Sequence, residues 1–463
     1  MNKESNQAED REIAAASESL PSKTRFLSGG ASRAKLIQAA AANHTEWFIG
    51  NAIALNGEVN ETNGVIWTAT VREVTIAFPR LDAETAGETL DTIVAECFRR
   101  KVEKASCWSL SPTRPRDLGA RLAARGFEWG WRPHWMALDL HTLPDDFSLP
   151  EGLHITIENS ESEWDVDDLP YYRREDAAFR HALAHAQPRR AWHFGAWLNG
   201  KIVGQSTVYV TTGRLGIAGI YDVGVVPSAR HQGIGSAVSL AACQFARMLG
   251  CRYALLNSAA DALYKRLGFG SLGYGQTWWI HSATLVAPPP TAAQIRFAEA
   301  IGRGDTATLD TLLPSDLPAD LDAPLPNGTT PMQLAVQSRQ PRSAEWLAAH
   351  AATLDILTAW DLGWKARARR LLIASPELAN RRAGNWQTTP LHEAIARDDL
   401  PLVRLLLRAA LDLEIQDTEF HSTPLGWARH FGRTEIIALL AEEKGSKALT
   451  AMVLGEPREA IRL

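Results

Sequence analysis

The sequence predicts an α+β region built as two lobes, followed by an all-α block of short repeats. Three observations carry this. Strand signals between Ala191 and Val226 lead into a glycine-rich turn and a helix-period segment; a helix ending in Gly-Phe occurs twice, at Gly126-Phe127 and Gly268-Phe269; and Thr-Pro dipeptides recur at Thr330, Thr389 and Thr423. The chain has 463 residues, and at roughly 150 residues per domain that is about three domains.

Taken in order, residues 1–30 lack the basic start and apolar middle of a secretory signal and read as a flexible tail. Residues 31–148 form the first lobe. In it Gly126-Phe127 is followed by Trp135-Met136-Ala137-Leu138, much as Gly268-Phe269 is followed by Trp278-Trp279-Ile280 in residues 149–285, the second lobe. Within the second lobe, two β-rich runs, Ala191–Leu198 and Lys201–Val210, flank Asn199-Gly200, the dipeptide that best supports a type I′ hairpin turn. A third strand run covers Gly216–Val226. A helix over Gly235–Leu249 follows, with apolar residues at 238, 241, 242, 245 and 248, then a strand at Tyr253–Leu256 and a helix at Ala259–Leu267. Pro288-Pro289-Pro290 cannot continue a helix or a central strand, so 286–292 reads as a linker. Residues 293–445 carry four to five repeats, and 446–463 read as a C-terminal tail. Thr389 and Thr423 are 34 residues apart, whereas Pro331 and Pro390 are 59 apart, which leaves the register of the middle repeats open.

Composition excludes several classes. Hydrophobic residues are 45%, charged residues 22% and the net charge is -5, the balance of an ordinary soluble protein and the wrong sign for a nucleic-acid binder working through a basic surface. No run of about 18 apolar residues supports a membrane span. Cys97, Cys107, Cys243 and Cys251 make no CxxC pair, which argues against a zinc site or any metal and against a disulfide framework. A cytoplasmic location follows as the expectation. The 16 tryptophans spread evenly over the three blocks, which predicts packing roles more than one aromatic binding cage.

The informative segment is Asp222-Val-Gly-Val-Val-Pro-Ser-Ala-Arg-His-Gln-Gly-Ile-Gly-Ser-Ala237. A strand enters a turn whose glycines allow close approach of an anion, and the next helix offers unpaired N–H groups and the positive end of its dipole. Pyrophosphate is the natural guest. A GxxxxGK[ST] loop is absent, and Val238 stands where a dinucleotide fingerprint needs a third glycine.

Arg230-His231-Gln232-Gly233-Ile234-Gly235, after a strand ending Val226-Pro227, resembles the acetyl-CoA signature of the GNAT acetyltransferase superfamily. Asn257 followed seven residues later by Tyr264 and then by Gly268-Phe269 resembles that family's second cofactor segment. The resemblance implies lobes of mixed, mostly antiparallel sheet with flanking helices. The first lobe is similar to the decayed lobe of tandem GNAT proteins: it has no glycine cradle, and Leu122 stands where Tyr264 stands in the second. The repeat block resembles the ankyrin family, most clearly in Thr389-Pro-Leu-His-Glu-Ala394 with Leu402–Leu407 on its second helix.

The resemblance implies transfer of an acetyl group from acetyl-CoA to an amine acceptor, small molecule or protein, with the ankyrin block recruiting a protein partner. The alternative is an ankyrin scaffold whose GNAT module only binds CoA or is inert. Gln232, Gly233, Ile234, Gly235 and Ser236 would hold pyrophosphate with their amides, Arg230 adding a charge-assisted contact. Val223, Val225 and Val226 would run beside the pantetheine, an N–H there polarising the carbonyl, with Asn257 as a second contact. Tyr264 is the expected general acid, since a phenol with pKa of about 10 is protonated at neutral pH. Asp222 is the candidate base, with a water chain as its rival. His193 reads as structural, and Glu161, Glu163, Asp165, Asp167 and Asp168 as an acidic strip beside the acceptor wall or a solvated face. Cys243 and Cys251 flank a helix and most simply pack. The acceptor, acyl length, ankyrin partner and oligomeric state leave no residue signature.

Overall fold

The computed structural model describes residues 25–144, 147–158, 164–173, 176–258, 261–312, 320–383, 386–409 and 411–454. The chain divides into two compact units, one of residues 1–295 with 326–328, the other of 296–325 with 329–463.

The first unit is built on one twelve-stranded sheet. Its elements are α1 (Arg33–Ala54), β1 (Glu58–Thr62), β2 (Val65–Ala69), β3 (Glu73–Ala77), α2 (Ala86–Arg100), β4 (Lys104–Leu110), α3 (Leu118–Ala124), β5 (Glu128–Trp129) and β6 (His134–Asp139). They continue with β7 (Leu153–Glu158), α4 (Ala177–Ala184), β8 (Ala191–Leu198), β9 (Lys201–Val210), β10 (Ala218–Val225), α5 (Ile234–Met248), β11 (Tyr253–Ser258), α6 (Asp261–Arg266) and β12 (Gly270–His281). The strand order is β1-β2-β3-β4-β12-β6-β11-β10-β9-β8-β7, with β5 beside β12. Neighbours pair antiparallel except β3 with β4 and β10 with β11. This is the mixed, mostly antiparallel sheet with flanking helices that the sequence predicts. The hairpin also forms as predicted: Leu198 pairs with Lys201, and Asn199 and Gly200 both take positive φ, 52° and 78°.

Each half lends its last strand to the other. β6, which precedes the 148/149 division, pairs along its whole length with β11 of the second half, from Tyr253↔Asp139 to Ser258↔His134. β12 begins beside β6, shifts register between Ser271 and Gly273 where Gly273 has φ 104°, and then pairs with β4 from Gly275↔Leu110 to His281↔Lys104. The two lobes therefore share their central strands instead of folding as separate bodies.

The two faces of the second half differ. Ile234, Ala237, Val238, Ala242, Phe245 and Ala246 form the buried stripe of α5, packing on Trp192, Phe194, Val208 and Ile220; burial of Phe245 alone is worth about 1.5–3 kcal/mol. The opposite face carries α1. Asn43 Nδ2 lies 3.1 Å from Tyr209 O, Thr211 Oγ1 and Ile217 O, and Tyr221 donates its hydroxyl proton to Asn43 Oδ1 at 2.6 Å. His44 sits among the rings of Phe48, Phe78, Trp108, Trp135 and Tyr221 at centroid distances of 4.5–5.7 Å. Burial pushes its pKa down to about 3, so it is a neutral core residue. Trp108 and Trp135 are thus packing residues, as the even spread predicts. All four cysteines are free and buried.

The segment expected as a tail is held at its end: Leu27 is buried, and its N–H donates to Gly216 O at 2.8 Å. The reason is apolar, since Phe26 also packs on the α5 core. Residues 1–24 of that tail lie outside the described residues.

The second unit is a series of helix pairs: α8 (Ala292–Arg303) with α9 (Thr306–Thr311), α10 (Pro331–Gln337) with α11 (Pro341–Ala349), α12 (Ile356–Asp361) with α13 (Lys365–Ala374), α14 (Pro390–Ala396) with α15 (Leu400–Leu406), and α16 (Pro424–His430) with α17 (Thr434–Leu454); α7 (Ser282–Leu285) precedes the proline triplet. Each Thr-Pro sets the same start: Thr330, Thr389 and Thr423 are N-caps with extended backbone, and proline opens the first turn. The repeat between Thr330 and Thr389 lacks the dipeptide because Asp355 caps α12 instead, accepting from Thr358 N at 2.7 Å. The last helix runs through Leu454, into the segment expected as a C-terminal tail. No described helix is long and apolar enough to cross a membrane.

Candidate functional site

β10 and β11 pair in parallel only at Ala218↔Ala254 and Gly219↔Leu255. Beyond that point β10 stays with β9 and β11 stays with β6, so the two strands part. The cause is local. A register shift falls between Tyr221 and Gly224, and Asp222 there takes φ 51°, so an extra residue is accommodated and the strand bends. The first half has no such opening: β3 and β4 pair without a shift over five residues, Glu73↔Lys104 to Ala77↔Trp108.

Past the bulge the chain turns through Pro227–Ala229 into α5. His231 and Gly233 take positive φ, 63° and 81°, and Gly233 is the N-cap, with no side chain capping the helix. The first-turn amides of Ile234, Gly235 and Ser236 therefore lack intrahelical acceptors and point outward with the positive end of the dipole. A Cβ on Gly233 would meet only Pro150, at 3.5 Å. The surface beside it is a hollow lined by Leu149, Pro150, Gln232, Gly233, Ser236 and Leu240. Arg230 donates from Nε to Val225 O at 3.3 Å and leaves its side chain exposed; Gln232 Nε2 donates to Ser228 O at 3.4 Å. This donor set suits a polyanion, so the residues present fit a pyrophosphate group.

Val223 and Val225 pack partly against the α5 core and Val226 is buried in it. Asn257, next to the end of β11, lies opposite Trp135 and is half-buried. Tyr264, on α6, is buried with its ring edge-on to Phe269 at 5.7 Å. Ser239 of α5, which stands near the phenol, donates its hydroxyl proton to Gly235 O at 2.7 Å. Burial pushes the Tyr264 phenol up to about 12, so it stays protonated at neutral pH. Ala259 and Ala260, the start of the expected helix, lie outside the described residues. In the first half Leu122 is buried in α3, with no phenol in its place.

Asp222 stands in the bulge of β10 and is half-buried. Ser206 donates to Val238 O of α5 at 3.2 Å, so its neighbour Thr207 points away from α5, where its hydroxyl lies 2.9 Å from His193 Nδ1. Burial pushes the Asp222 carboxyl up to about 6, with the nearby Thr207 hydroxyl opposing. The loop over this side is pinned to the opening. Gln205 Nε2 donates to Pro170 O at 2.7 Å, and a Cβ on Gly224 would come within 2.5 Å of the same oxygen. Trp164 N donates to the Tyr172 hydroxyl at 2.6 Å, and Arg180 of α4 lies 4.4 Å over the Tyr172 ring. Asp165, Asp167 and Asp168 are exposed, and Glu161 and Glu163 lie outside the described residues.

Sequence reasoning did not find Thr207 or Ser239. Thr207 sets its hydroxyl against His193 and Ser239 bonds back to Gly235 O, and no motif marks either.

Residues 154–269 match the model of the acetyltransferase (GNAT) family, and residues 386–418 that of the ankyrin repeat. Glucosamine 6-phosphate N-acetyltransferase of Trypanosoma brucei brucei is 36% identical over 76 residues, 15% of this chain and 52% of that protein, so the chain spans about half the length of this curated relative. A GCN5-related N-acetyltransferase from Kribbella flavida superposes with a TM-score of 0.40 at 18% identity, covering 52% of this chain and 95% of the other. A tandem GNAT protein from the clavulanic acid biosynthesis pathway gives 0.38 at 15% identity, covering 53% and 94%. Residues 154–269 are a domain of the GNAT acetyltransferase family, and residues 386–418 are an ankyrin repeat.

Proposed function

We propose that the chain is an N-acetyltransferase that takes its acyl group from acetyl-CoA at the β10–β11 opening and passes it to an amine. The observation that carries this reading is the meeting of two features at one place: parted strand edges beside an uncapped helix N-terminus with a positive-φ glycine at its cap. The first suits an extended amide-bearing arm and the second its pyrophosphate.

The roles follow from position. Amides from Gln232 to Ser236 hold the phosphates, with Arg230 free to add a charge. The edge of Val223–Val226 and Asn257 line the arm, and an N–H of that edge polarises the thioester carbonyl. When bound, acetyl-CoA supplies an activated acyl group with a thiol as leaving group. Asp222 takes a proton from the acceptor ammonium, the free amine then attacks the thioester carbonyl, and Tyr264 protonates the departing sulfur and is reprotonated by the proton left on the new amide nitrogen. The first lobe, with unparted β3 and β4 and Leu122 for a phenol, does no chemistry. The ankyrin repeats recruit a protein partner, and we place the chain in the cytoplasm, where four buried free thiols suit reducing conditions.

The test is release of CoA thiol from acetyl-CoA by the full chain over a panel of small amines and lysine peptides, with glucosamine 6-phosphate included because the trypanosomal relative bears that name. Acceptor-dependent release supports the reading. Tight acetyl-CoA binding with no release on any acceptor supports the scaffold alternative.

A further inference from the structure

The second helices of two successive repeats, α13 and α15, border a hollow of about 240 Å³ whose chemistry is divided. Its floor is apolar, made by the ring of Trp360 near the end of α12 with Pro401 and Leu405 of α15. Its rim is cationic: Arg369 comes from α13, Arg404 from α15, and Arg408 from just past the end of α15. The sequence accounts for both halves. α13 reads Lys365-Ala-Arg-Ala-Arg-Arg-Leu-Leu-Ile-Ala374, a basic helix without an acid, and α15 opens on Leu400-Pro401, which puts apolar side chains where the hollow begins.

The floor is set before any guest arrives. Trp360 Nε1 donates to Asp399 Oδ2 at 2.7 Å, and Oδ1 of the same carboxylate caps α15 by accepting from Leu402 N at 3.0 Å. The ring is thereby fixed to the start of α15. The rim is only partly neutralised. Arg404 pairs with Glu435 of α17 at 3.1 Å, whereas Arg369 and Arg408 are exposed and have no acidic partner within ion-pair distance among the described residues. An apolar floor inside a ring of guanidiniums complements an apolar side chain flanked by carboxylates, which arginine can grip with two parallel hydrogen bonds. It does not suit a nucleic-acid strand. The Trp360 ring is only 6% exposed, with Lys365 Nζ 3.2 Å from its centroid, and offers no open face on which a base could stack.

We propose that this groove docks an acidic peptide segment of a partner protein: one apolar side chain sits on Trp360, Pro401 and Leu405, and flanking carboxylates are held by Arg369, Arg404 and Arg408. The inference deepens the reading above in which the repeats recruit a protein, and rests on it. It gives the partner's docking segment a chemistry and a place. That place is built by second helices and not by the Thr-Pro turns that mark the repeats, so no motif points to it.

The test is fluorescence anisotropy on the full chain with a labelled peptide in which one leucine is flanked on each side by a short run of glutamates. The wild type binds it, and binds the glutamine counterpart at least about tenfold more weakly. Changing the peptide's leucine to serine weakens binding at least about threefold. Arg369→Glu with Arg408→Glu alters exposed side chains outside any ion pair, so the double variant melts with the wild type. It binds the acidic peptide at least about tenfold more weakly and gains affinity for a lysine-flanked version. The proposal is overturned if the wild type binds the glutamate peptide no better than the glutamine one, if the double variant keeps the acidic peptide, or if a labelled single-stranded oligonucleotide binds more tightly than the peptide. A protein retained from cell extract equally by the wild type and the double variant leaves recruitment standing and overturns the groove. No retained protein and no bound peptide sinks both.

Discussion

Gly219 and Leu255 are the last residues through which β10 and β11 pair in parallel. Gly219 also sits directly against α1: a Cβ there would lie 2.2 Å from Asn43 Oδ1 and 2.4 Å from the Tyr221 ring. The point where the sheet opens is therefore the point where the first helix of the unit is locked onto it. The first half of the chain braces the opening of the second.

Gly219→Ala should cost about 2–4 kcal/mol, because neither the Asn43 amide, held by three oxygens, nor the Tyr221 ring has room to retreat. Thermal unfolding checks it. An unchanged Tm would mean that α1 does not press on the strand there.

Tyr264→Phe should lower kcat by roughly 10²-fold while changing the KM for acetyl-CoA less than threefold, roughly, since the ring and its contact with Phe269 remain. With the phenol pushed up to about 12, the wild-type rate should show no falling limb from this group below about pH 10. Steady-state kinetics decide; equal kcat in the variant removes Tyr264 from the chemistry.

Asp222→Asn should lose activity and gain stability. Burial raises the folded pKa of Asp222 to about 6 from 3.8, so the folded state binds a proton the unfolded state has already released, and the ionised carboxylate is a cost above pH 6. Its partial exposure discounts that cost to about 1 kcal/mol. At pH 8 the variant should melt about 2–4 °C higher than the wild type, the difference shrinking as pH falls through 6 and disappearing below 3.8.

His392 makes an opposite prediction in the second unit. Its Nδ1 lies 2.8 Å from Thr389 Oγ1 in the capping box of α14, and its Nε2 lies 3.2 Å from Ser422 O at the start of the next repeat. Burial is the largest influence and lowers its pKa from 6.5. The neutral ring is favoured in the fold, so its contribution is present above pH 6.5 and is lost as pH falls below it. His392→Ala should cost about 1–2 kcal/mol at pH 8 and flatten the acid side of the stability profile, measured by denaturant unfolding.

What the sequence made legible was local. Asn199-Gly200 forces its own hairpin, Gly233 its own helix start, and each Thr-Pro its own cap, because in each case the deciding contacts lie within four residues. The exchange of β6 and β12 was not legible, since a continuous apolar strand such as His134–Asp139, buried on both faces, does not encode which edge it joins. The separation of a first and second lobe at 148/149 follows the repeat in the sequence, whereas the pairing crosses it. The pairing of His193 with Thr207 was hidden for the same reason: the two stand on separate strands, with Nδ1 and Oγ1 2.9 Å apart, and no residue pattern announces it. Asp355 in place of a capping threonine explains why the middle repeat was hard to register.

The central claim is that the amides around Gly233 hold the phosphates of an acyl donor that is then consumed at the opening. Its most direct test compares wild type with Gly233→Asp, in acetyl-CoA titration calorimetry and acceptor-dependent thiol release. Aspartate tolerates positive φ better than most residues, and Gly233 is exposed with room for a side chain, so the variant should fold and melt close to the wild type. The account predicts a Kd for acetyl-CoA raised at least about tenfold by the added charge at the phosphate site, with a matching fall in kcat/KM. Unchanged affinity and turnover in a folded Gly233→Asp protein would contradict it.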